Sequence, residues 1–126
     1  HDPRPLGPAM QTLRSRVEAL CGQHFNCVLL NLYRDGEDSM GWHSDDEPEL
    51  GPDPFIASVS LGEPRRFVLR SRAEPRRRHE CLLADGSLLL MEPPLQSAWQ
   101  HALPKMRRAT APRLNLTWRL IRPTGR

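Results

Sequence analysis

The sequence predicts one domain built mainly of β-strands, arranged as a sandwich or barrel, with a single helix near its N-terminus. Three observations predict this fold class. The 126 residues are enough for one modest hydrophobic core. Beyond residue 22, short apolar or alternating segments replace the helical periodicity. Thirteen prolines and eight glycines separate these segments, as is typical of turns between strands.

Residues 9–22 (AMQTLRSRVEALCG) form the predicted helix. Gly22 is expected to end it, because glycine readily adopts the left-handed conformation found after helix ends. The apolar residues recur at three- and four-residue spacings, which predicts one apolar face made by Met10, Leu13, Val17 and Leu20.

Six segments carry the pattern of strands: residues 26–33, 55–61, 65–69, 80–83, 87–91 and 113–121. The short turn between the second and third predicts a hairpin. The Pro- and Arg-rich residues 73–79 are expected to form a flexible loop. The last segment alternates polar residues with Leu114, Leu116 and Trp118. We therefore expect one of its faces in a core and the other in a polar cavity.

Charge is distributed unevenly along the chain, whose formal net charge is +3. Eight of the fifteen acids lie between Asp35 and Asp53, and seven of the eighteen basic residues lie between Arg65 and Arg78. This indicates an acidic, ligand-bearing region beside a basic stretch that faces phosphates. A solvated hairpin tip is the alternative interpretation of the basic stretch.

Cysteine usage and hydropathy indicate an intracellular protein. Cys21, Cys27 and Cys81 are an odd number at unmatched spacings, so we expect buried free thiols in a reducing cytosol. No apolar run reaches 18 residues, so no membrane span is expected. We expect a cytoplasmic monomer, or a nuclear one in a eukaryote.

Histidine and aspartate spacing predicts a metal site. In an extended segment His43 and Asp45 point to the same side, so both can bind one ion. Of the five histidines, His101 follows a strong strand and its loop and can supply a third ligand. Two histidines and one carboxylate leave three positions open on an octahedral metal, as in non-haem Fe(II) oxygenases. A zinc hydrolase and a cupin-type isomerase remain alternatives at this point.

The last predicted strand indicates a second ligand. Arg113 and Arg119 lie six residues apart on one strand face, with Asn115 between them. Guanidinium groups bind planar carboxylates through paired hydrogen bonds and fix their orientation. This face is therefore suited to a dicarboxylate.

Residues 113–119 (RLNLTWR) resemble the Arg-x-Asn-x-Thr-aromatic-Arg motif of the AlkB family of Fe(II)- and 2-oxoglutarate-dependent dioxygenases. The motif follows the His-x-Asp pair and the distal histidine in the family's order. Residues 31–33 (NLY) match the family's Asn-x-Tyr strand, and the resemblance runs from about residue 25 to 123. Residues 43–48 (HSDDEP) are similar to the eukaryotic DNA- and RNA-repair branch and its bacterial relatives, whereas the classical bacterial enzyme has Asp at the position of Glu47.

The resemblance implies a double-stranded β-helix (jelly roll) with supporting helices, and it implies a role for each matched residue. His43, Asp45 and His101 would bind Fe(II). The distal carboxylate of 2-oxoglutarate would pair with Arg113, aided by Tyr33 and Asn115. The carboxylate next to the keto group would meet Arg119 and Asn31.

The resemblance also implies a reaction and a substrate. Using O2 and 2-oxoglutarate, the family demethylates N-alkylated bases of DNA or RNA and releases succinate, CO2 and formaldehyde. Glu47 would contact the exocyclic amine of a flipped base. Trp42 and Trp99 adjoin the metal ligands, and we expect them to pack rather than to stack on bases. A protein or lipid substrate, and a non-enzymatic β-sandwich binding module, are the alternatives.

One part of the family pattern lies upstream of the matched region. The family's nucleotide-recognition lid, with an aromatic residue that stacks on the base, precedes it, and only about 24 residues stand before the first matched strand. We therefore expect residues 1–126 to be a single catalytic domain without that lid.

Overall fold

The computed structural model of the protein describes residues 6–45, 48–51 and 54–121. These residues form two helices, eight strands and a single 3-10 turn at Pro48–Leu50. The helices are α1 (Pro8–Cys21) and α2 (Pro93–Ala98). The strands are β1 (Cys27–Tyr33), β2 (Met40–His43), β3 (Ile56–Gly62), β4 (Arg65–Ser71), β5 (Arg78–Leu83), β6 (Leu88–Met91), β7 (Trp99–Leu103) and β8 (Arg113–Arg119).

The strands form two antiparallel sheets of four strands each. Sheet I has the order β1-β8-β3-β6, and sheet II has the order β2-β7-β4-β5. The chain passes back and forth between the sheets as it winds, which is the arrangement of a double-stranded β-helix. The predicted jelly roll with an N-terminal helix is confirmed.

Two apolar clusters hold the layers together. The cluster between the sheets takes side chains from both of them: Tyr33, Leu50, Ile56, Phe67, Leu83, Met91 and Leu103. The second cluster packs α1 on the outer face of sheet I and consists of Val17, Phe25, Ala57, Val59, Leu116 and Trp118. The polar face of β8 consequently points toward sheet II, as its alternation predicts.

Helix α1 ends as predicted, but its buried stripe differs in one residue. Gly22 has φ 69° and donates its backbone N–H to the Glu18 carbonyl over 2.8 Å. The prediction for Leu20 is wrong, because its side chain is 73% exposed. Cys21 packs against the cluster instead. In the last turn of the helix, Cys21 lies on the face that contacts the sheet. Leu20 points about 100° away from Cys21 around the helix axis and therefore faces solvent.

The hairpin predicted between residues 55–61 and 65–69 is also wrong. Strand β3 belongs to sheet I and pairs with β6 and β8, whereas β4 belongs to sheet II and pairs with β5 and β7. The intervening turn therefore crosses from one sheet to the other, starting at Gly62 with φ 98°. A short Gly-containing turn has the same local sequence in both arrangements, so the sequence cannot distinguish them.

The loop predicted for residues 73–79 is shorter than expected. Arg78 and His79 belong to β5 and pair with Arg70 and Leu69 of β4. The turn before them is closed by the backbone hydrogen bond from Ser71 N–H to the residue 77 carbonyl, 3.0 Å. The basic stretch thus forms the end of a regular hairpin in sheet II.

Two further predictions require comment. All three cysteines are free, but Cys81 is exposed and Cys21 and Cys27 are only half-buried, so the expected deep burial is wrong. Cys81 lies on the edge strand β5, which has a neighbouring strand on one side only. Neither helix of the described residues is long and apolar enough to cross a membrane.

Candidate metal and co-substrate site

The pairing of β2 with β7 brings the two predicted histidine ligands together. His43 and His101 are directly opposite each other across this pair, and their ring centroids are 4.2 Å apart. Asp45 follows β2, and its Oδ2 lies 3.9 Å from His101 Nε2. One donor atom from each of the three residues lies within 4.8 Å of the other two. The three predicted metal ligands thus form one compact donor set.

Hydrogen bonds orient the segment that carries two of these ligands. His43 Nδ1 lies 2.9 Å from the Gly41 carbonyl oxygen. Since a carbonyl only accepts, Nδ1 carries the proton and Nε2 keeps its lone pair for a metal. The backbone N–H of Asp45 donates to Gln96 Oε1 over 2.8 Å, and Ser44 Oγ donates to the residue 99 carbonyl over 2.7 Å.

His101 is held in the neutral form that a metal requires. It is 5% exposed and packs against the Phe67 ring at 5.2 Å. Burial, with a smaller contribution from the neighbouring His43, lowers the pKa of His101 to about 4. At neutral pH the imidazole therefore binds a cation without first losing a proton.

The donor set fits a divalent transition metal. Two imidazole nitrogens and one carboxylate oxygen lie on one side of the cavity and leave its other side open to further ligands. This is the combination that suits non-haem Fe(II). His101 Nε2 is the ring nitrogen next to Asp45, and within the described part of the chain the buried Nδ1 has no hydrogen-bond partner.

Arg113 lies on sheet I, across the cavity from these ligands. Its side chain is 2% exposed, Nη2 donates to Ser60 Oγ over 2.9 Å, and it hydrogen-bonds Tyr33. Burial lowers the pKa of Arg113, an effect that Tyr33 opposes. Among the described residues Arg113 has no carboxylate partner, and its Nε has no acceptor. A buried, unpaired guanidinium is costly, so this position favours an anionic ligand.

Asn115 is fixed by its neighbours. Its Nδ2 donates to Ser58 Oγ over 2.7 Å and to the Val59 carbonyl over 3.2 Å. Thr117 Oγ1 donates to its Oδ1 over 2.8 Å. Asn31 is the direct partner of Asn115 across β1 and β8. The two amides form a polar row beside Arg113, with Asn115 held in one orientation.

All these groups border one cavity of about 200 Å³ between the sheets. Leu29, Met40, Phe67 and Leu103 contribute apolar walls. The polar lining comes from His43, Asp45 and His101 on one side and from Asn31, Arg113 and Asn115 on the other. A dicarboxylate placed here meets a cation at each end: a metal at one and a guanidinium at the other.

The structure does not bring every predicted residue into this cavity. Arg119 follows Thr117 on the same face of β8, is half-buried and opposes Cys27, but it does not line the cavity. Glu47 lies outside the described residues, so its predicted role stays a prediction.

Arg65 was predicted to face phosphates as part of the basic stretch, but it is a buried residue beside the site. Arg65 is 1% exposed, and its Nη atoms donate to the carbonyls of Asp35, Asp38 and Pro104 over 2.8 to 3.1 Å. Its Cζ lies 5.7 Å from the Tyr33 ring centroid. Burial raises the pKa of Tyr33, and the guanidiniums of Arg113 and Arg65 oppose that shift. The two-residue alternation of β4, in which Arg65 and Phe67 both point inward, was the feature of the sequence that could have indicated a buried Arg65.

This fold and donor set define a class of protein, and comparison with known proteins identifies the same class. Residues 1–119 match the profile of the 2OG-Fe(II) oxygenase superfamily. The chain belongs to this superfamily, and its relatives place it in the AlkB family within it.

The curated relatives include DNA oxidative demethylase ALKBH2 of Mus musculus, 48% identical over 97% of this chain and 54% of the relative. They also include alpha-ketoglutarate-dependent dioxygenase alkB homolog 3 of Homo sapiens, 43% identical over 94% of this chain and 44% of the relative. The chain thus spans about half the length of the curated relatives it matches. The solved structure of OsALKBH1 is 17% identical, covers 94% of this chain and 67% of that one, and has a TM-score of 0.66, which supports the shared fold.

Gln96 offers a test of how the metal ligands are held. Gln96→Met keeps the side-chain length but removes the acceptor for Asp45 N–H. A neutral hydrogen bond contributes about 0.5–1.5 kcal/mol, so we expect Co(II) affinity, measured by calorimetry, to fall about two- to tenfold. Ser97→Ala on the same helix is the matched control, because Ser97 is exposed and, among the described residues, its hydroxyl donates to the Pro94 carbonyl alone. Unchanged affinity in Gln96→Met would show that Asp45 is held without this bond.

Proposed function

We propose that the protein is an Fe(II)- and 2-oxoglutarate-dependent oxygenase that removes methyl groups from nitrogen atoms of nucleic-acid bases, of the 1-methyladenine and 3-methylcytosine type. The products would be the repaired base, formaldehyde, succinate and CO2. One observation carries the proposal: a two-histidine, one-carboxylate donor set faces a buried arginine that has no carboxylate partner among the described residues, in one cavity between the sheets.

His43, Asp45 and His101 would hold Fe(II). When bound, the metal supplies the activation of O2 that couples oxidation of 2-oxoglutarate to oxidation of the methyl group. The protein contributes geometry: ligands fixed by hydrogen bonds, and apolar walls that exclude water from the reacting groups.

Arg113 would pair with the distal carboxylate of 2-oxoglutarate, and the Tyr33 hydroxyl would assist. Burial raises the pKa of Tyr33, so its hydroxyl is protonated at neutral pH and able to donate. Asn31 and Asn115 would lie along the co-substrate, with Asn115 already oriented by Ser58 and Thr117. Arg119 is proposed to act at the other carboxylate, from the far end of the same strand face.

A nucleic-acid substrate is supported by the names of the relatives and by charge. ALKBH2 is named as a DNA oxidative demethylase. On this chain, the hairpin of β4 and β5 carries basic side chains at Arg70, Arg72 and residues 76–78, which suit the phosphates flanking a target base. The base itself has to leave the stack to reach the cavity. We further propose a monomer that acts where its substrate is, in the cytoplasm or, in a eukaryote, the nucleus.

Formaldehyde release tests this proposal. Single- and double-stranded oligonucleotides with one N-methylated base are incubated with the full-length protein, Fe(II) and 2-oxoglutarate, and formaldehyde and succinate are measured. Both products from methylated but not unmethylated oligonucleotide are expected. Succinate without formaldehyde on every oligonucleotide would favour a protein or lipid substrate. No Fe(II) binding and no succinate would favour a non-enzymatic binding module.

Glu47 is predicted to select cationic bases at the rim of the cavity. Glu47→Gln keeps an acceptor oxygen but removes the charge, and an ion pair at a protein surface contributes about 1 kcal/mol at most. We expect repair of 1-methyladenine and 3-methylcytosine to slow about fivefold relative to repair of neutral 1-methylguanine. Uncoupled 2-oxoglutarate decarboxylation should be nearly unchanged. An equal loss on cationic and neutral bases would assign Glu47 to a solvated acidic loop.

A further inference from the structure

Trp99, His79 and Arg77 form a cluster near the metal ligands, and the proposed reaction gives its two rings no role. The Trp99 and His79 ring centroids lie 5.3 Å apart, with an angle of 52° between the ring planes. The Arg77 guanidinium carbon lies 5.8 Å from the Trp99 ring centroid. Two aromatic surfaces and a positive charge are therefore close together.

Strand register places both rings on the side of sheet II that carries the metal ligands. Trp99 and His101 are two residues apart on β7, so their side chains share a face. His79 is paired with Leu69, which is paired in turn with His101. The cluster thus lies beside the ligand set and at the same end of the sheet.

Packing does not account for this arrangement. Neither Trp99 nor His79 belongs to the two apolar clusters of the described residues. Trp99 is half-buried, whereas His79 and Arg77 are exposed. None of the three lines the cavity. Trp99 thus packs against His79 and Arg77 at the edge of the site and not in either apolar cluster of the described residues.

We propose that Trp99 and His79 form a stacking platform for a nucleotide next to the target base in a single strand, and that Arg77 contacts the adjoining phosphate. This rests on the proposed function and names how the substrate strand is held. Every nucleobase has a π-face, so aromatic stacking holds a strand without selecting its sequence. A guanidinium beside the ring adds attraction to the phosphate and can itself stack.

Position determines which nucleotide the platform holds. Because the cluster lies outside the cavity but on the ligand face, it suits a neighbour of the reacting base. Trp42 provides a contrast on the outer face, where Arg70 and Arg78 lie 4.3 and 5.4 Å from its ring centroid. Because the Trp42 indole lies on the face of sheet II opposite the Trp99 and His79 cluster, Trp42→Ala is the matched control for Trp99→Ala.

A double-mutant cycle, with one change in the protein and one in the oligonucleotide, tests the platform. Wild type, Trp99→Ala, Trp99→Phe and Trp42→Ala are loaded with Co(II) and 2-oxoglutarate. Their affinities for labelled single strands with one 3-methylcytosine are measured by fluorescence anisotropy. A second set of strands carries one abasic residue at each position flanking the methylated base. Base–aromatic stacking predicts about a tenfold weaker complex for Trp99→Ala on the intact strand, with Trp99→Phe closer to wild type.

Coupling between the Trp99→Ala substitution and the abasic residue is the decisive result. At one flanking position the abasic residue should weaken wild type about tenfold and Trp99→Ala hardly at all, while Trp42→Ala shows additive losses at every position. Additive losses for Trp99→Ala at every position, or an unchanged affinity, would overturn the platform. Formaldehyde release on the same strands reports the proposed function separately. Turnover without coupling rejects only the platform, whereas coupling without turnover supports the platform and rejects the demethylase.

Discussion

Replacement of His43, Asp45 or His101 by alanine is expected to abolish turnover. Each change removes one of three donor atoms that lie within 4.8 Å of one another, and two donors do not define the geometry that a metal needs for catalysis. Succinate and formaldehyde are measured with Fe(II) in excess, and Co(II) binding is measured separately. His24→Ala is the matched control, because His24 has a 95% exposed side chain and lies outside the cavity.

The identity of the metal is tested on the same proteins. Fe(II) is expected to support turnover, and Zn(II) or Co(II) to block it. A ligand variant with a rate near that of wild type would remove that residue from the donor set. Activity with Zn(II) would instead favour a hydrolase, the alternative that two histidines and a carboxylate leave open.

Loss of Arg113 should affect the co-substrate rather than the metal. Arg113→Met keeps the side-chain length and removes the charge. A charge-assisted hydrogen bond contributes about 1.5–3 kcal/mol, so the KM for 2-oxoglutarate is expected to rise about ten- to hundredfold. Co(II) affinity should not change, because Arg113 lies on the opposite sheet from the metal ligands. Arg119→Lys should also raise the KM, because lysine lacks the paired donors of the guanidinium.

The stability of Arg113→Met provides an independent control. The Arg113 guanidinium is buried and, within the part of the chain that the structure describes, has no carboxylate partner, an arrangement that costs free energy. We therefore expect Arg113→Met to unfold thermally at the same temperature as wild type or higher, while its co-substrate requirement rises. If the 2-oxoglutarate dependence were unchanged in both arginine variants, the assignment of β8 to the co-substrate would be wrong.

Much of the site could be predicted from the sequence, because the two-residue periodicity of a strand determines which side chains share a face. Arg113, Asn115 and Thr117 alternate with apolar residues on β8, and the structure buries the two sets on opposite sides of sheet I. His43 and Asp45 follow the same two-residue rule. Their meeting with His101 was predicted from residue type, from its place after a strand and from the family resemblance, and the pairing of β2 with β7 supplies the physical reason.

Features that depend on distant contacts were not predictable in this way. A turn after Gly62 has the same local sequence whether the next strand pairs with β3 or crosses to the other sheet. Arg65 is charged and stands in a basic stretch, yet three backbone carbonyls from two other loops satisfy it in the interior. Helix α2 begins with Pro93 and Pro94. Proline is common in the first turn of a helix, but in a sequence rich in turns these two prolines indicate a loop equally well.

The division of the site between two sheets has a thermodynamic consequence. Metal ligands come from the β2–β7 side, whereas Arg113 and the asparagines come from β1 and β8, so a dicarboxylate that reaches both sides cross-links the sheets. Its binding free energy is then available to resist their separation. A ligand at a hundred times its Kd adds about 2.7 kcal/mol to the free energy of unfolding. Saturation with metal and co-substrate together should therefore slow hydrogen exchange by unfolding at the amides of β7 and β8, which lie inside their sheets between two neighbouring strands.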